Sequence, residues 1–307
     1  MGLKKFIVTT TINSPTLATR KFAEMKDWTL VVVGDTKTPH LEYKDNEELD
    51  CVYLSPSIQE TIDRDLSDSI GWKSIQRRNI GFLYAYNMGA DIVATVDDDN
   101  IPYDDWGKNL LVGQTIECDL YEPSQNVFDP LSVTNTPDIW HRGFPIDLLG
   151  KRHEVEYKGK VKRKVLVQAD LWDGDPDIDA MARLTMKPIV KYNVEKPYCS
   201  NKIAPFNSQN TFLAREVLPY YAVLPHVGRM DDIWGSYILQ YYFPNSVIYN
   251  KASVYQDRNV QDLVTNLEKE IIGYRNTYDF INNLQKYMHN LPEDARHFYK
   301  TYMKAYK

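Results

Sequence analysis

Through its first hundred residues the chain alternates short apolar runs with longer stretches of helical spacing. "KFIVTTTI" is rich in β-branched residues and reads as a strand. "SPTLATRKFAEMKDW" reads as a helix, with Ser14 as N-cap and Pro15 in the first turn. "TLVVVGD" is a second strand ending at Asp35, and "CVYLSP" a third. "DSIGWKSIQRRNIGFLYAYNMGA" predicts one long helix closed by Gly89, and "DIVATVDDD" a fourth strand. The order β-α-β-β-α-β predicts an α/β fold with an open, mostly parallel sheet flanked by helices. Ligands bind such sheets beyond the carboxyl ends of the strands. Asp35 and the cluster Asp97, Asp98 and Asp99 fall at such ends.

The middle of the chain is less regular. "HRGFPIDLLGKRHEVEYKGKVKRKV" mixes charged and apolar residues and predicts a loop or hairpin excursion that later returns to the sheet. "IAPFNSQNTFLAREVLPYY" reads as a strand and then a helix, and "RMDDIWGSYILQYYF" as a helix with acids in its first turn, where the helix dipole favours them. Leu263, Leu267, Ile271, Tyr274, Tyr278, Ile281 and Leu284 recur at steps of three or four, which predicts an amphipathic helix. Pro292 opens a last short helix. Repeats, low-complexity tracts and linkers are absent, so one domain with a helical tail is the simplest account.

Composition narrows the function. The chain has 307 residues, 43% hydrophobic and 25% charged, with a net charge of -6. An acidic chain is a poor general binder of nucleic-acid backbones. Three widely spaced cysteines form neither a disulfide framework nor a metal motif. The first residues lack an apolar stretch long enough for a signal peptide or membrane span. The expectation is a soluble, cytoplasmic protein.

Three adjacent carboxylates at the end of a buried strand repel one another and lose hydration. In an extended chain Asp97 and Asp99 share a face, roughly 6–7 Å apart at Cα, and Asp98 opposes them. Two such carboxylates suit Mg²⁺ or Mn²⁺, whose remaining positions are filled by water and substrate phosphates. A solvated acidic turn is the plainer alternative. Arg77, Arg78 and Asn79 precede this strand on a helix, where an Arg can pair with phosphate or hold a carboxylate of the cluster. Asp231 and Asp232 open a helix followed directly by Ile233 and Trp234, so the turn is half buried and offers a general base. In "ADLWDGDPDIDA", Trp172 is a candidate stacking platform, with Asp173 or Asp175 bonding substrate hydroxyls. A surface loop is the alternative there. The absence of a Gly-rich phosphate loop argues against dehydrogenases and P-loop ATPases.

Together these segments resemble the GT-A nucleotide-sugar glycosyltransferases. "IVTTTINSPT", "VVVGDTKTP", "RRNIGFLYAYNMGADIVATVDDDN", "RGFPIDLLG", "QADLWDGDPDIDA", "NSQNTF" and "MDDIWGSY" are similar, in this order, to STELLO-type glycosyltransferases. At a greater distance they resemble the reversibly glycosylated polypeptides, which are UDP-arabinopyranose mutases. The resemblance implies a Rossmann-like GT-A catalytic domain over residues 1–257, with residues 258–307 as a helical extension packed on it. It implies a UDP-sugar donor, Mn²⁺ or Mg²⁺, and a hydroxyl acceptor such as a glycan. Asp97 and Asp99 fall on the Asp-x-Asp positions for ribose and metal, with Asp98 between them on the donor side. Thr9, Thr10 and Asp35 fall where the nucleoside is held, Arg78 on the helix arginine, and Asp231 and Asp232 on the acid pair that supplies the base. Direct displacement by the acceptor implies inversion. The alternative is a UDP-sugar pyranose/furanose mutase, but Leu149 stands where the mutases carry an Arg after their Phe-Pro pair.

Overall fold

The computed structural model describes residues 2–44 and 46–307. Its centre is an 11-stranded mixed sheet. The strands are β1 (Lys5–Thr11), β2 (Thr29–Gly34), β3 (Val52–Leu54), β4 (Ile92–Val96), β5 (Asn100–Pro102), β6 (Thr115–Pro123), β7 (Val155–Lys164), β8 (Val167–Gly174), β9 (Tyr198–Cys199), β10 (Asn210–Ala214) and β11 (Val247–Gln256). Their order across the sheet is β3-β2-β1-β4-β10-β8-β11-β9-β6-β7, with β5 paired to β11. The first four are parallel, as their β-branched, doubly buried runs predict. β10 is antiparallel to both β4 and β8, and β11 is parallel to β8. The carboxyl ends of β1, β2, β4, β8 and β11 therefore share one edge with the amino end of β10. All of the chemistry described below lies along that edge.

Among the described residues ten helices flank the sheet: α1 (Leu17–Ala23), α2 (Leu41–Lys44), α3 (Pro56–Ile62), α4 (Arg64–Ile70), α5 (Arg78–Asn87), α6 (Ala180–Met186), α7 (Asp231–Tyr242), α8 (Leu263–Asn282), α9 (Tyr287–Asn290) and α10 (Glu293–Ala305). The tail is helical, as its periodicity predicts. Trp234 of α7 stacks on Phe280 of α8 at 4.7 Å, and its indole N–H donates to Thr277 at 3.0 Å. Tyr302 of α10 donates to the carbonyls of Leu218 and Tyr221 at 2.8 and 2.7 Å.

Several local expectations change. Thr16, not Ser14, caps α1; its hydroxyl accepts from the Thr19 N–H at 3.1 Å, while Ser14 donates to Glu42. The long helix expected before β4 is broken at Gly71 and Lys73, both with positive φ (74° and 59°). The cause lies across the fold. The Asp35 carboxylate accepts the N–H groups of Lys73 and Ser74 at 2.9 and 3.0 Å, which holds this stretch out of a helix. After β10 the chain makes a 3₁₀ turn over Arg215–Tyr220 containing Pro219, not an α-helix. The central excursion is a β6–β7 hairpin whose connection, residues 124–154, folds inward and is pinned by the buried Arg152–Asp129 pair at 2.9 Å.

Gly235 lets α7 approach the chain closely, since a Cβ there would collide with the backbone oxygen of Ala222. Gly→Ala inside a helix ordinarily gains up to about 1 kcal/mol. Here overpacking costs about 1–3 kcal/mol and dominates. Gly235→Ala is expected to lower the thermal melting temperature, and a melt at or above wild type would contradict this packing.

Candidate active site

The cleft along the strand ends has two lobes. The first, about 380 Å³, is lined by residues that include Thr10 to Asn13, Asp35, Lys73 to Ile75 and Asp97 to Asp99. The second, about 290 Å³, is lined by residues that include Gln76, Arg142, Asp177, Gln209, Asp231 and Arg258. Ile75, Asp97 and Asp99 line both, so the acidic cluster forms the wall between them.

β4 ends at Val96 and residues 97–99 form a turn, so strand alternation does not operate there. Asp97 and Asp99 nevertheless share the second lobe, while Asp98 accepts hydrogen bonds from Thr11 and Asn13 at 2.5 and 3.0 Å. Asp97 is bonded at 2.5 Å by Arg78. Arg78 lines the first lobe, is buried, and also donates to Ser208 and Thr95, so it fixes Asp97 at the edge of the cleft. Asp99 Oδ1 is buried with no hydrogen-bond partner. Burial, and then the charge of Asp97, push the Asp99 carboxyl up to about 7. Asp97 and Asp99 are the residues of this wall that could hold a divalent cation, the free oxygen of Asp99 above all. Among the described residues no group of three or more His, Cys, Asp or Glu converges on one point, so water and phosphate would complete its shell.

Arg142 organises the acid pair. Its guanidinium lies 3.0 Å from Asp232 and 3.6 Å from Asp231, and donates to Asp177 at 2.8 and 2.9 Å. Asp232 also accepts the Ser208 N–H at 2.8 Å. Burial pushes the pKa of Asp232 up, but Arg142 and the Ser208 N–H together hold the carboxyl below its ordinary value. Asp231 is pushed up to about 7, by burial first and then by the charge of Asp232. Gln76 orients it through a 2.8 Å hydrogen bond. The two neighbours thus titrate apart. One stays ionised as a scaffold, and the other is poised near neutrality in the second lobe.

Other sequence candidates take different places. Thr9 is buried off the cleft, whereas Thr10 lines it. Asp35 lines the first lobe, but its oxygens accept from Thr36, Lys73 and Ser74. Trp172 is packed edge-on to His141 at 5.7 Å and is 3% exposed, so it offers no open face for stacking. Asp173 accepts from Tyr103 and the Tyr192 N–H, both at 2.8 Å, and Asp175 pairs with Arg183. Neither lines the two lobes; Asp177, two residues on, does. Sequence reasoning gave no role to Arg142, Asp177, Arg229 or Arg258. Arg142 sits in the "RGFP" segment that carried part of the resemblance, whereas Arg258 lies in "QDRNVQD", which carries no signal.

No family model matches the chain. It is similar to two curated proteins of Arabidopsis thaliana. One, named probable glycosyltransferase STELLO2, is 24% identical over 299 residues, covering 87% of this chain and 39% of that protein. The other, named probable glycosyltransferase STELLO1, is 26% identical over 227 residues, covering 68% of this chain and 29% of that protein. These likenesses support a glycosyltransferase family. The chain spans less than half the length of either relative. Among the described residues no helix is long and apolar enough to cross a membrane.

Removing Arg142 would leave Asp177 and Asp232 buried without their main counter-charge. Breaking such a pair costs on the order of 3–5 kcal/mol. Arg142→Met is expected to lose about that much at pH 7. The deficit should shrink as pH falls, because both carboxyls are held low in the native protein and a proton can replace the missing cation. Denaturant unfolding at pH 5 and pH 7 checks this, and a deficit that grows on acidification would refute it.

Proposed function

We propose that this chain is a metal-dependent glycosyltransferase of GT-A type that moves a sugar from a nucleotide-sugar donor, a UDP-sugar on the resemblance, to a hydroxyl acceptor. The observation that carries the reading is the buried acid pair Asp231 and Asp232, held by Arg142, Gln76 and the Ser208 N–H in a lobe that Asp97 and Asp99 also line. The first lobe takes the nucleotide, with its diphosphate toward the acidic wall. The second takes the transferred sugar and the acceptor. Asp97 and Asp99 would hold Mn²⁺ or Mg²⁺, which as a Lewis acid offsets charge on the leaving diphosphate. Asp231 accepts the proton of the acceptor hydroxyl as its oxygen bonds to C1 of the sugar. The C1–O bond to phosphate breaks, and its electron pair leaves with the diphosphate. Displacement in line inverts the anomeric centre. Asp232, held ionised by Arg142, keeps the Asp231 carboxyl basic enough to act near neutral pH. Arg78 orients Asp97 through their 2.5 Å pair and opposes the upward push that burial gives its carboxyl.

Asp231→Asn is expected to bind UDP as wild type does and to turn over about 10²–10⁴ times more slowly. Because the base acts as a carboxylate, wild-type kcat/KM should rise with pH through about 7 as Asp231 loses its proton, and the variant should lack that limb. Full activity in Asp231→Asn would place the base elsewhere, and acceptor-free conversion of a UDP-pyranose to its furanose would replace transfer with mutase chemistry.

Asp99→Ala should abolish turnover and the Mn²⁺-dependent part of UDP binding while the fold persists. Calorimetry in Mn²⁺ and in a chelator checks this. Equal UDP affinity of variant and wild type in Mn²⁺ would remove the metal from the acidic wall.

A further inference from the structure

The segment after β11 crosses the seam between the two lobes. It is tied down where the Asp257 N–H donates to the Asp99 carbonyl at 3.0 Å. Asn259 lines the first lobe and Arg258 the second. The Arg258 side chain is only 4% exposed. Its Nε donates to the Asp175 carbonyl at 3.3 Å. Its Nη2 is buried and makes no hydrogen bond, the nearest carboxylate oxygen, on Asp177, being 3.7 Å away.

Asp177 does not need this guanidinium. Its Oδ2 already accepts from Arg142 twice and from Asn207, and its Oδ1 accepts from Arg229 at 3.2 Å. Arg258 thus has carboxylates of Asp175 and Asp177 at 3.7 Å, but its Nη2 donor is left without a hydrogen bond, and the residue lines a space it shares with Asp97 and Asp99. A buried, unpaired guanidinium donor is costly and calls for a ligand. Its planar fork suits a phosphate. A single hydroxyl would satisfy only one N–H of that fork.

We infer that Arg258 binds the terminal phosphate of a nucleoside diphosphate at the seam of the cleft and stabilises it as the leaving group. This rests on the nucleotide-sugar reading above and adds a binding residue to it. The ligand group is the second phosphate, so Arg258 discriminates nucleoside diphosphates from monophosphates. In transfer, the bond from C1 to the phosphate oxygen breaks, and the negative charge that appears on that oxygen lies against the guanidinium.

Calorimetry with UDP, UMP and a UDP-sugar on wild type, Arg258→Gln and Arg258→Lys tests the inference, with thermal melts run in parallel. If the wild type prefers another base, the matching diphosphate and monophosphate are used. Arg258→Gln should weaken UDP and UDP-sugar alike, by on the order of tenfold to a hundredfold, and leave UMP within about twofold. Arg258→Lys, which keeps the charge but not the fork, should recover part of the loss and serves as the readout if the Gln variant does not fold. Unchanged UDP affinity in both variants overturns the inference while the functional reading stands. Equal losses for UMP and UDP make Arg258 a structural residue and overturn it too, as does a loss confined to the UDP-sugar, which would place the contact on the sugar. A wild type that binds no nucleoside diphosphate overturns the functional reading and this inference with it.

Discussion

Asp177 and Arg142 form the charge pair on which the catalytic edge of the sheet depends. Asp177 is 1% exposed and Arg142 is 4% exposed, so neither can be ionised there alone. Arg142 answers Asp177 and Asp232 together, and Arg229 closes the circuit by bonding both Asp177 and Glu270 of α8. One charge balance therefore locks four pieces of chain: the inward-folded excursion, the loop after β8, the start of α7 and helix α8. Such a network is a poor source of net stability, since desolvation offsets most of the attraction. What it supplies is geometry. With Arg142 placed against Asp232, Asp231 is the carboxyl left to gain and lose a proton.

The parallel half of the sheet was legible because its strands advertise themselves locally. β1, β2 and β4 are β-branched runs buried on both faces, and each ends on polar residues that reach the cleft. The acid pair was legible for a similar reason, since apolar Ile233 and Trp234 directly after two aspartates require a buried helix start. The break before α5 was not, because its cause is Asp35, nearly forty positions earlier, which takes the N–H groups a helix would need. Trp172 misled for the same kind of reason. An aromatic residue in an acidic stretch looks like a platform until the His141 ring is found against it. The arginines were hidden most deeply. Arg142, Arg229 and Arg258 lie far apart in the chain and converge only through the fold, so spacing carries no trace of them.

The two lobes share one wall of carboxylates, and this bears on how a transfer reaction excludes water. The two lobes meet at Ile75, Asp97 and Asp99, and the buried Arg78 side chain bonds both Asp97 and Ser208 behind them. A polar site closed to water concentrates its field on the point where charge changes.

The way the strands are ordered also sets the tempo of assembly. β4 must wait for β10, whose partner residues lie more than a hundred positions later, and α10, near the end of the sequence, packs on α4, near its beginning. Contacts so distant along the chain exact a large loop-closure entropy before they return any stabilisation, and folding rates fall as that separation grows. During synthesis the exposed flank of β4 would stand unpaired for the time it takes to make β10, a period in which a nascent chain with an apolar strand edge is most in need of a chaperone.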